Sequence, residues 1–309
     1  MLAFIDMLTL QKQTIENMSR KFKTIGIIGK TADPGTDQAI HRISNHLQQQ
    51  GIAVLVDETA AKNIPDIDIK TASRDILGEK CDLIIVVGGD GTMLGAALTF
   101  CDHAVPLVGV NLGRLGFLVD ISPSDAEEKI DEILNGEYQM EERSLLNATV
   151  IRDGKEIIQG SALNDIVVHK WDVAHMIETN TYIDDHFVHK HRSDGIITST
   201  PTGSTAYALS GGGPIIHPGL ESFVIVPICP HTLSNRPIAV KSSSKVRIVL
   251  SETSRNKGQV TCDGRLLHEL ELGDEVLIET RSTKLHLLHP KGYDYYQILR
   301  AKLHWAEHP

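Results

Sequence analysis

The chain has 309 residues, of which 41% are hydrophobic and 23% are charged, the composition of an ordinary soluble globular protein. This length favours two domains over a single core. The formal net charge of −10 argues against a nucleic-acid backbone or an anionic membrane as the main partner, although it is compatible with a small basic pocket for phosphates.

Features that report on the cellular compartment point to the cytoplasm. The four cysteines show no Cys-x-x-Cys spacing, which favours a reducing compartment. No apolar run approaches the length of a membrane span. Residues 1–22 are predicted to form an N-terminal extension in which Met18 is an alternative start. They lack a basic region and contain Asp6, which argues against a signal peptide.

Residues 23–140 are predicted to form an α/β domain, because strand and helix patterns alternate along them. Such alternation predicts a parallel sheet with right-handed crossovers. Thr36 is the predicted cap of a helix that Gly51 ends, and the sequence Ser124–Glu127 predicts a capping box before a helix that closes at Gly136. The predicted strands are residues 24–29, 52–56, 83–87 and 106–111.

One turn in this domain carries the features of a phosphate site. The apolar, mostly β-branched stretch Leu83–Val87 predicts a strand that is buried on both faces. It is followed by the glycine loop, Gly88-Gly89-Asp90-Gly91-Thr92. A glycine turn ahead of a helix places backbone N–H groups around one carboxylate, a geometry that attracts phosphate. Asp90 is therefore predicted at the carboxyl end of a parallel strand, where open α/β sheets bind ligands.

The glycine loop differs from the two commonest nucleotide fingerprints. The dinucleotide motif needs a glycine where Leu94 stands, and a Walker A motif ending at Gly29-Lys30-Thr31 needs one where Thr24 stands. From the loop alone, an ordinary turn in which Asp90 caps the helix is as consistent with the sequence as a phosphate site.

The pattern changes in the second half. Residues 141–290 are predicted to form a mainly antiparallel β domain, because apolar residues alternate with polar ones. The sequence Arg152-Asp153-Gly154-Lys155 predicts a two-residue hairpin. Residues 291–309 are predicted to form a C-terminal segment that packs back on the first domain.

Two stretches of the β domain have polar groups suited to a nucleotide. Thr200–Gly213 places hydroxyls on a glycine turn, where they can contact ribose or phosphate, and Tyr207 can stack on a base. A Ser/Thr-rich loop without a ligand also explains this stretch. Asn164 and Asp165 lie inside a predicted apolar strand at residues 162–168, where buried polar groups need partners. An internal hydrogen-bond network and recognition of a base and ribose edge explain them equally well.

Other motifs favour no alternative chemistry. His189 and His191 share one face of a predicted strand without a third ligand, which favours a solvated strand face over a metal site. The absence of a Gly-x-Ser-x-Gly elbow argues against a serine hydrolase.

Several of these motifs together resemble the bacterial NAD kinases, over about residues 23–305. The matching stretches are the glycine loop, Asn111–Phe117, Asn164-Asp165, Arg192–Gly195 and Thr200–Tyr207. The resemblance implies an N-terminal Rossmann-like domain and a C-terminal β domain. It implies transfer of the ATP γ-phosphate to the adenosine 2′-hydroxyl of NAD, giving NADP. It also implies Mg²⁺ or another divalent metal, NAD and ATP as partners, and a homo-oligomer, either a dimer or a tetramer.

The resemblance also implies roles for individual residues. Asp90 is the candidate general base, and Gly88, Gly89, Gly91 and Thr92 form the phosphate loop. The implied NAD-binding residues are Asp90, Gly91, Phe117, Asn164, Asp165, His175, Arg192, Asp194, Thr202, Thr205, Ala206, Tyr207, Ser210 and Arg265. Arg265 departs from the family pattern, because Asp263-Gly264-Arg265 stands where the family often has Asp-Gly-Gln.

The sequence leaves two questions open. Asp90 could take the proton of a ribose hydroxyl or could bind Mg²⁺, and sequence does not separate these roles. The alternatives to an NAD kinase are a lipid-type kinase with the same loop and a non-catalytic NAD(P)-binding sensor. The absence of a membrane-binding segment argues against the first, and the retention of Asp90 argues against the second.

Overall fold

The computed structural model describes residues 22–30, 33–62, 64, 69–113, 115–172, 174–232 and 234–305. The predicted N-terminal extension, apart from Phe22, lies outside these residues, as do Met18 and residues 306–309 of the predicted C-terminal segment. The chain forms two compact units. The first contains the described residues up to Met93, Val105–Met140, and those from Leu288 onward, and the second contains Leu94–Ala104 and Glu141–Leu287.

The first unit has a parallel sheet in the order β5-β4-β1-β2-β3. Its strands are β1 (Thr24–Gly29), β2 (Ala53–Asp57), β3 (Thr71–Ala72), β4 (Leu83–Gly88) and β5 (Leu107–Asn111). Every residue of β4 and β5 is buried, as expected for central strands covered on both faces. The predicted α/β architecture of this region is confirmed, and the carboxyl end of β4 leads directly into the glycine loop.

The helices of this region differ from the predictions at their N-termini. They are α1 (Pro34–Gln49), α2 (Glu58–Ala61), α3 (Arg74–Lys80), α4 (Asp90–Phe100) and α5 (Ala126–Leu134). The cap of α1 is Asp33, whose carboxylate accepts the N–H of Gly35 at 3.0 Å, so the prediction of Thr36 is wrong. Thr36 already lies in the first turn, where its side chain is buried.

The predicted capping box at Ser124 does not form. Helix α5 is preceded by Asp125, which makes no side-chain cap. The Ser124 hydroxyl instead donates to the carboxylate of Asp125 at 2.8 Å. A neighbouring acceptor thus takes the hydroxyl that the box requires.

The second unit is built of antiparallel β-structure, which confirms the predicted fold class. The strands that lie wholly or mostly in this unit are β6 (Tyr138–Arg152), β7 (Lys155–Ala162), β8 (Asp165–Lys170), β9 (Ile177–Ile183), β10 (His186–Ser193), β11 (Gly195–Ser199), β12 (Ser222–Ile228), β13 (Ile238–Lys241), β14 (Val246–Leu250), β15 (Gly258–Cys262), β16 (Arg265–Leu270) and β17 (Glu275–Pro290). The first three residues of β6 and the last three of β17 belong to the first unit. One sheet has the order β13-β12-β11-β8-β15-β16. Strands β10, β9, β14 and β17 are hydrogen-bonded neighbours in that order outside this six-stranded sheet. The two groups of strands share a core that includes Ile166, Ile196, Phe223, Ile248 and Ile278.

Two tight hairpins of this unit use the same Asp-Gly sequence. Asp153 and Gly154 have φ values of 50° and 71° between β6 and β7, which confirms the predicted two-residue hairpin. Asp263 and Gly264 have φ values of 47° and 74° between β15 and β16. Two short helices complete the chain: α6 (Tyr207–Ser210), which follows a 3₁₀ turn at Gly203–Thr205, and α7 (Tyr295–Leu303) in the first unit.

The predicted strand at residues 162–168 is interrupted. Strand β7 ends at Ala162 and β8 begins at Asp165, so Leu163 and Asn164 form a bend between them. The cause of this bend lies far away in the sequence, at the second Asp-Gly turn.

Candidate active site

The Asp90 carboxylate is held by a loop rather than by its own helix. Helix α4 begins at Asp90, but the carboxylate accepts the backbone N–H groups of Phe117 and Leu118, both at 3.0 Å. Each oxygen receives one donor, which fixes the plane of the carboxylate and leaves lone pairs for a ligand. The structure therefore does not support the simple helix-cap interpretation of Asp90.

The glycines around Asp90 serve different purposes. A Cβ atom at Gly116 would overlap the Asp90 carboxylate, and one at Gly88 would overlap the Thr92 side chain. These two glycines are required by close packing. A Cβ atom at Gly89 or Gly91 would meet nothing within 4 Å. The backbone of these two residues is therefore accessible to a bound phosphate or ribose.

The bend at Asn164 in the second unit is held by Asp263. The Asp263 carboxylate accepts the backbone N–H groups of Leu163 at 2.9 Å, Asn164 at 2.8 Å and Asp165 at 3.2 Å. Three donors in succession on one carboxylate turn the chain away from the strand path. We call this arrangement the Asp263 clamp.

The Asp263 clamp places two carboxyl groups close together in a buried setting. Asp165 is only 5% exposed. Burial, with the negative charge of Asp263 as a second cause, raises the pKa of Asp165 to about 7. Burial also raises the pKa of Asp263, but its three backbone donors and Arg265 oppose that rise. The pKa of Asp165 therefore lies near neutrality, whereas the three backbone donors on Asp263 favour its ionised form.

The turn at Thr200–Tyr207 packs on the same bend. The Thr200 hydroxyl donates to the carbonyl of Leu163 at 2.5 Å, and the Thr200 N–H donates to the carbonyl of Asn164 at 2.9 Å. A Cβ atom at Gly203 would overlap the Asn164 backbone. The structure thus brings together the two polar stretches that the sequence singled out.

Most hydroxyls of this turn stabilise the turn itself. Ser204 donates to the carbonyl of Pro201 at 2.6 Å, and Thr205 donates to that of Thr202 at 3.1 Å. The Thr202 hydroxyl accepts an N–H of the buried Arg143 at 3.2 Å. The predicted nucleotide contact of Thr205 therefore competes with an existing intramolecular bond. The Thr202 hydroxyl acts as an acceptor here, so its O–H group can still donate to a nucleotide.

Next to the bend lies a cavity of about 620 Å³, the size of a small-molecule pocket. We call it the Asn164 cavity. Its lining residues are Leu94, Asn164, Asp165, Val167, His169, Ala206, Tyr207, Gln259, Thr261, Asp263, Gly264 and Leu266. Four of these were predicted from the sequence, namely Asn164, Asp165, Ala206 and Tyr207.

A second, smaller cavity of about 180 Å³ shares Tyr207 and His169 with the first. Asp194 lines it and forms an ion pair with Lys170 at 2.8 Å. Of the remaining predicted residues, His175, Arg192, Ser210 and Arg265 are exposed and line neither cavity. Arg265 lies beside the helix at Gly95, where an added Cβ atom would approach its guanidinium at 3.5 Å.

Sequence reasoning missed one whole wall of the Asn164 cavity. Gln259 and Thr261 pair with His169 and Val167 across β15 and β8, so alternate residues of both strands face the cavity. The Asp263-Gly264 pair is a recognisable turn signal, but nothing local in the sequence shows that β15 pairs with β8.

The histidine pair lies on one strand face as predicted, although it is not solvated. The Nδ1 atoms of His189 and His191 lie 2.8 Å apart, and His191 is buried. Burial and the neighbouring His189 lower the pKa of His191 to about 4.

Among the described residues, no group of three or more His, Cys, Asp or Glu side chains could hold a metal ion. In the same part of the chain, no helix is long and apolar enough to cross a membrane.

Comparison with family models and curated proteins gives one consistent family. The model of the ATP-NAD kinase N-terminal domain matches residues 25–138, and that of the ATP-NAD kinase C-terminal domain matches residues 163–289. The NAD kinase of Teredinibacter turnerae is 48% identical over 94% of this chain and 99% of its own length. The NAD kinase of Pseudomonas entomophila is 46% identical over 93% of this chain and 97% of its own length.

Solved structures agree with this result. The crystal structure of yeast NADH kinase complexed with NADH matches with a TM-score of 0.84 and 25% identity, covering 94% of this chain and 93% of that one. An NAD kinase from Archaeoglobus fulgidus in complex with ATP matches with a TM-score of 0.70 and 26% identity, covering 90% of this chain and 99% of that one. These relatives do not favour a lipid-type kinase or a non-catalytic sensor. The chain belongs to the NAD kinase family and is an enzyme that phosphorylates NAD with ATP.

Proposed function

We propose that this enzyme transfers the γ-phosphate of ATP to the adenosine 2′-hydroxyl of NAD, with Asp90 as the general base. The observation that carries the proposal is the Asp90 carboxylate, which is oriented by two backbone N–H groups at 3.0 Å beside the open backbone of Gly89 and Gly91. A ribose hydroxyl is a weak nucleophile, and a carboxylate within hydrogen-bond reach orients it and takes its proton.

The Asn164 cavity is the proposed adenosine site. Its volume of about 620 Å³ suits a nucleoside, and Asn164, Asp165 and Tyr207 supply an amide, a carboxyl group and an aromatic ring. Because Asp165 titrates near pH 7, its carboxyl group is available as donor or acceptor to the ribose and base edges. Tyr207 is 47% exposed, so its ring face is free to stack on a base.

The other residues implied by the family resemblance are assigned in the same proposal. Gly91 and Phe117 contact the ribose and phosphates beside Asp90. The remaining contacts to NAD come from His175, Arg192, Asp194, Thr202, Thr205, Ala206, Ser210 and Arg265. The exposed positions of His175 and Arg192 suit the outer half of the dinucleotide.

A divalent cation, Mg²⁺ in the first instance, enters this proposal as part of the ATP complex. Mg²⁺ is commonly held by one or two carboxylates together with substrate phosphates, so it needs no cage of protein ligands. Asp90 carries the carboxylate of the glycine loop and would therefore contact the cation. When bound, the cation neutralises charge on the phosphates, and the glycine loop positions them.

One variant separates the two roles of Asp90. The exchange Asp90→Asn keeps the shape of the side chain and removes its basicity. If Asp90 is the base, kcat falls at every Mg²⁺ concentration while the Kd for NAD changes by no more than a few-fold. If Asp90 instead binds the cation, activity returns as the Mg²⁺ concentration is raised. The measurement is the steady-state rate of NADP formation over a Mg²⁺ titration, with calorimetry for NAD.

The same proposal includes the compartment and the assembly. All four cysteines are free thiols, of which Cys229 is exposed, as suits the reducing cytoplasm.

Strand β10 lies at the edge of its sheet and presents Phe187, which is 59% exposed and packs edge-on against Tyr182. We propose this edge as the contact of a homo-oligomer, and exchanging Phe187 for Glu should lower the molar mass measured by light scattering.

A further inference from the structure

We infer that His289 is a positioning residue that keeps the Asp90 carboxylate in its reactive orientation, acting through Asp120 and the loop that holds Asp90. This inference rests on the proposed role of Asp90 as the general base. It assigns a function to the C-terminal end of the chain, which contributes no residue to the proposed nucleotide contacts.

One loop orients the Asp90 carboxylate. We call residues 115–121 the supporting loop. The N–H groups of Phe117 and Leu118 each bind one oxygen of the Asp90 carboxylate at 3.0 Å. Gly116 lies so close that a Cβ atom there would overlap the carboxylate. Any displacement of the supporting loop therefore turns or releases the Asp90 side chain.

The supporting loop is anchored at its C-terminal end. Ile121 accepts the N–H of Asn111 at 2.8 Å, and its own N–H donates to the Gly109 carbonyl at 3.3 Å. A Cβ atom at Gly109 would approach the Cα of Val119 to 2.9 Å, so loop and strand β5 are in close contact there. Leu118 and Val119 are buried. Asp120 thus lies within the fixed part of the loop.

Asp120 links the supporting loop to His289. Asp120 Oδ2 and His289 Nδ1 lie 3.0 Å apart, and the two side chains are 10% and 1% exposed. Because a carboxylate only accepts, Nδ1 is the atom that carries the proton. The other oxygen, Oδ1, is buried and has no hydrogen-bond partner among the described residues. Losing His289 would leave a buried carboxylate without this bond, and the loop would move to solvate it.

His289 is itself held by packing contacts. It is near the end of β17, directly after Leu288, which belongs to the apolar core of the first unit. Its ring stacks on Tyr293, with ring centroids 3.8 Å apart and an interplanar angle of 15°. Lys302 of α7 provides a second contact, because its ammonium group lies 5.7 Å from the centroid of the Phe117 ring. The chain from His289 to Lys302 therefore contacts the supporting loop at two points.

The consequence is specific to the chemical step. The two contacts of His289 described above are with Asp120 and Tyr293, neither of which is a proposed substrate-binding residue. We therefore expect its loss to leave the KM values for NAD and ATP within about twofold. A misplacement of about 1 Å at a reacting group costs up to about 10²-fold in rate. We therefore expect His289→Ala to lower kcat by about 10- to 100-fold. His289→Asn, which keeps an N–H donor near the place of Nδ1, should recover most of that loss.

A double-mutant cycle tests whether His289 acts through Asp90. Steady-state kcat is measured for the full-length wild type, His289→Ala, Asp90→Asn and the double variant. The matched control is His46→Ala. His46 forms a similar pair with Asp131 at 2.7 Å in the first unit, but that pair joins α1 to α5 and not to the supporting loop. Should His289→Ala fail to fold, His289→Asn and Asp120→Asn replace it in the cycle.

Each outcome has one meaning. If the double variant is no slower than Asp90→Asn and His46→Ala keeps its kcat, the positioning role is supported. If the two losses multiply, or if His289→Ala keeps its kcat, the positioning role is wrong while the role of Asp90 stands. If Asp90→Asn itself keeps its kcat, the base assignment fails and this inference fails with it.

Discussion

Asp90 and Asp263 each accept more than one backbone N–H group, but the two carboxylates serve different purposes, one in the chemistry and the other in shaping the chain. Asp90 in the first unit receives two donors, one on each oxygen, next to glycines whose backbone is open. Asp263 in the second unit receives three donors and determines the bend between β7 and β8. Asp90 has acceptor capacity left for a substrate, whereas the capacity of Asp263 is mostly used to shape the chain. We therefore expect substitution of Asp90 to lower kcat and substitution of Asp263 to lower the free energy of unfolding.

The largest effect should follow from Asp90→Asn. We expect kcat to fall by about 10²–10⁴-fold, the usual contribution of a general base. The free energy of unfolding should change by less than about 1 kcal/mol, because the Asn side chain can still accept one of the two loop N–H groups. Urea unfolding and steady-state kinetics on the same preparation check both numbers. A variant that is fully active, or one that is inactive because it unfolds, would contradict the distinction between the two carboxylates.

Asp263→Asn should show the opposite pattern. The amide NH₂ group cannot accept, so at least one of the three backbone donors loses its partner. We expect the free energy of unfolding to fall by about 1–3 kcal/mol, with a rise in the KM for NAD as the Asn164 bend relaxes. The control is Asp153→Asn, in a hairpin turn of the same Asp-Gly type whose aspartate is exposed. If the two variants had the same free energy of unfolding, the Asp263 clamp would not stabilise the fold.

Asn164→Ala tests what the Asp263 clamp positions. The clamp holds the Asn164 backbone, so removing the side chain should leave the bend intact. We expect a loss of about 1–3 kcal/mol in NAD binding, because a polar group of the bound nucleotide loses its partner. The Kd for ATP should change much less. Calorimetry with each nucleotide decides the matter, and an effect confined to ATP would require the two nucleotide sites to be exchanged.

The smallest effect concerns Asp165, whose pKa of about 7 lies well above the ordinary value of 3.8. The folded protein therefore binds more protons at this site than the unfolded chain between about pH 4 and pH 7. The stability contributed by Asp165 is fully present below that window and is lost as the pH rises through 7. Asp165→Asn should thus be more stable than the wild type at pH 8, and this advantage should vanish near pH 4. A difference that does not vary with pH would show that Asp165 is not perturbed.

The contrast between the two carboxylates also explains which features could be predicted from the sequence. The glycine loop is a local signal, since an apolar strand, three glycines and an aspartate are adjacent in the chain. The break in the predicted strand at residues 162–168 depends on Asp263, about 100 residues away, so periodicity alone missed it. The buried position of His191 was missed for the same reason, because its surroundings come from packing between distant strands.

Local competition accounts for the remaining errors. The capping box failed because Asp125 takes the Ser124 hydroxyl, and Asp33 replaced Thr36 as the cap of α1 because its carboxylate reaches the N–H of Gly35. Both sites offered two cap candidates within three residues, and sequence rules rank such candidates without their geometry. The predicted fold class did not depend on those details, because strand and helix periodicity extends over whole elements.

The most direct test of the account identifies the product of the wild-type enzyme. Purified full-length protein is incubated with NAD, ATP and Mg²⁺, and the product is examined by phosphorus NMR and mass spectrometry. We predict one added phosphate on the adenosine 2′-hydroxyl, and no reaction when the acceptor is NAD lacking that hydroxyl. Phosphate on another position, or turnover of the analogue without the 2′-hydroxyl, would contradict the proposed reaction.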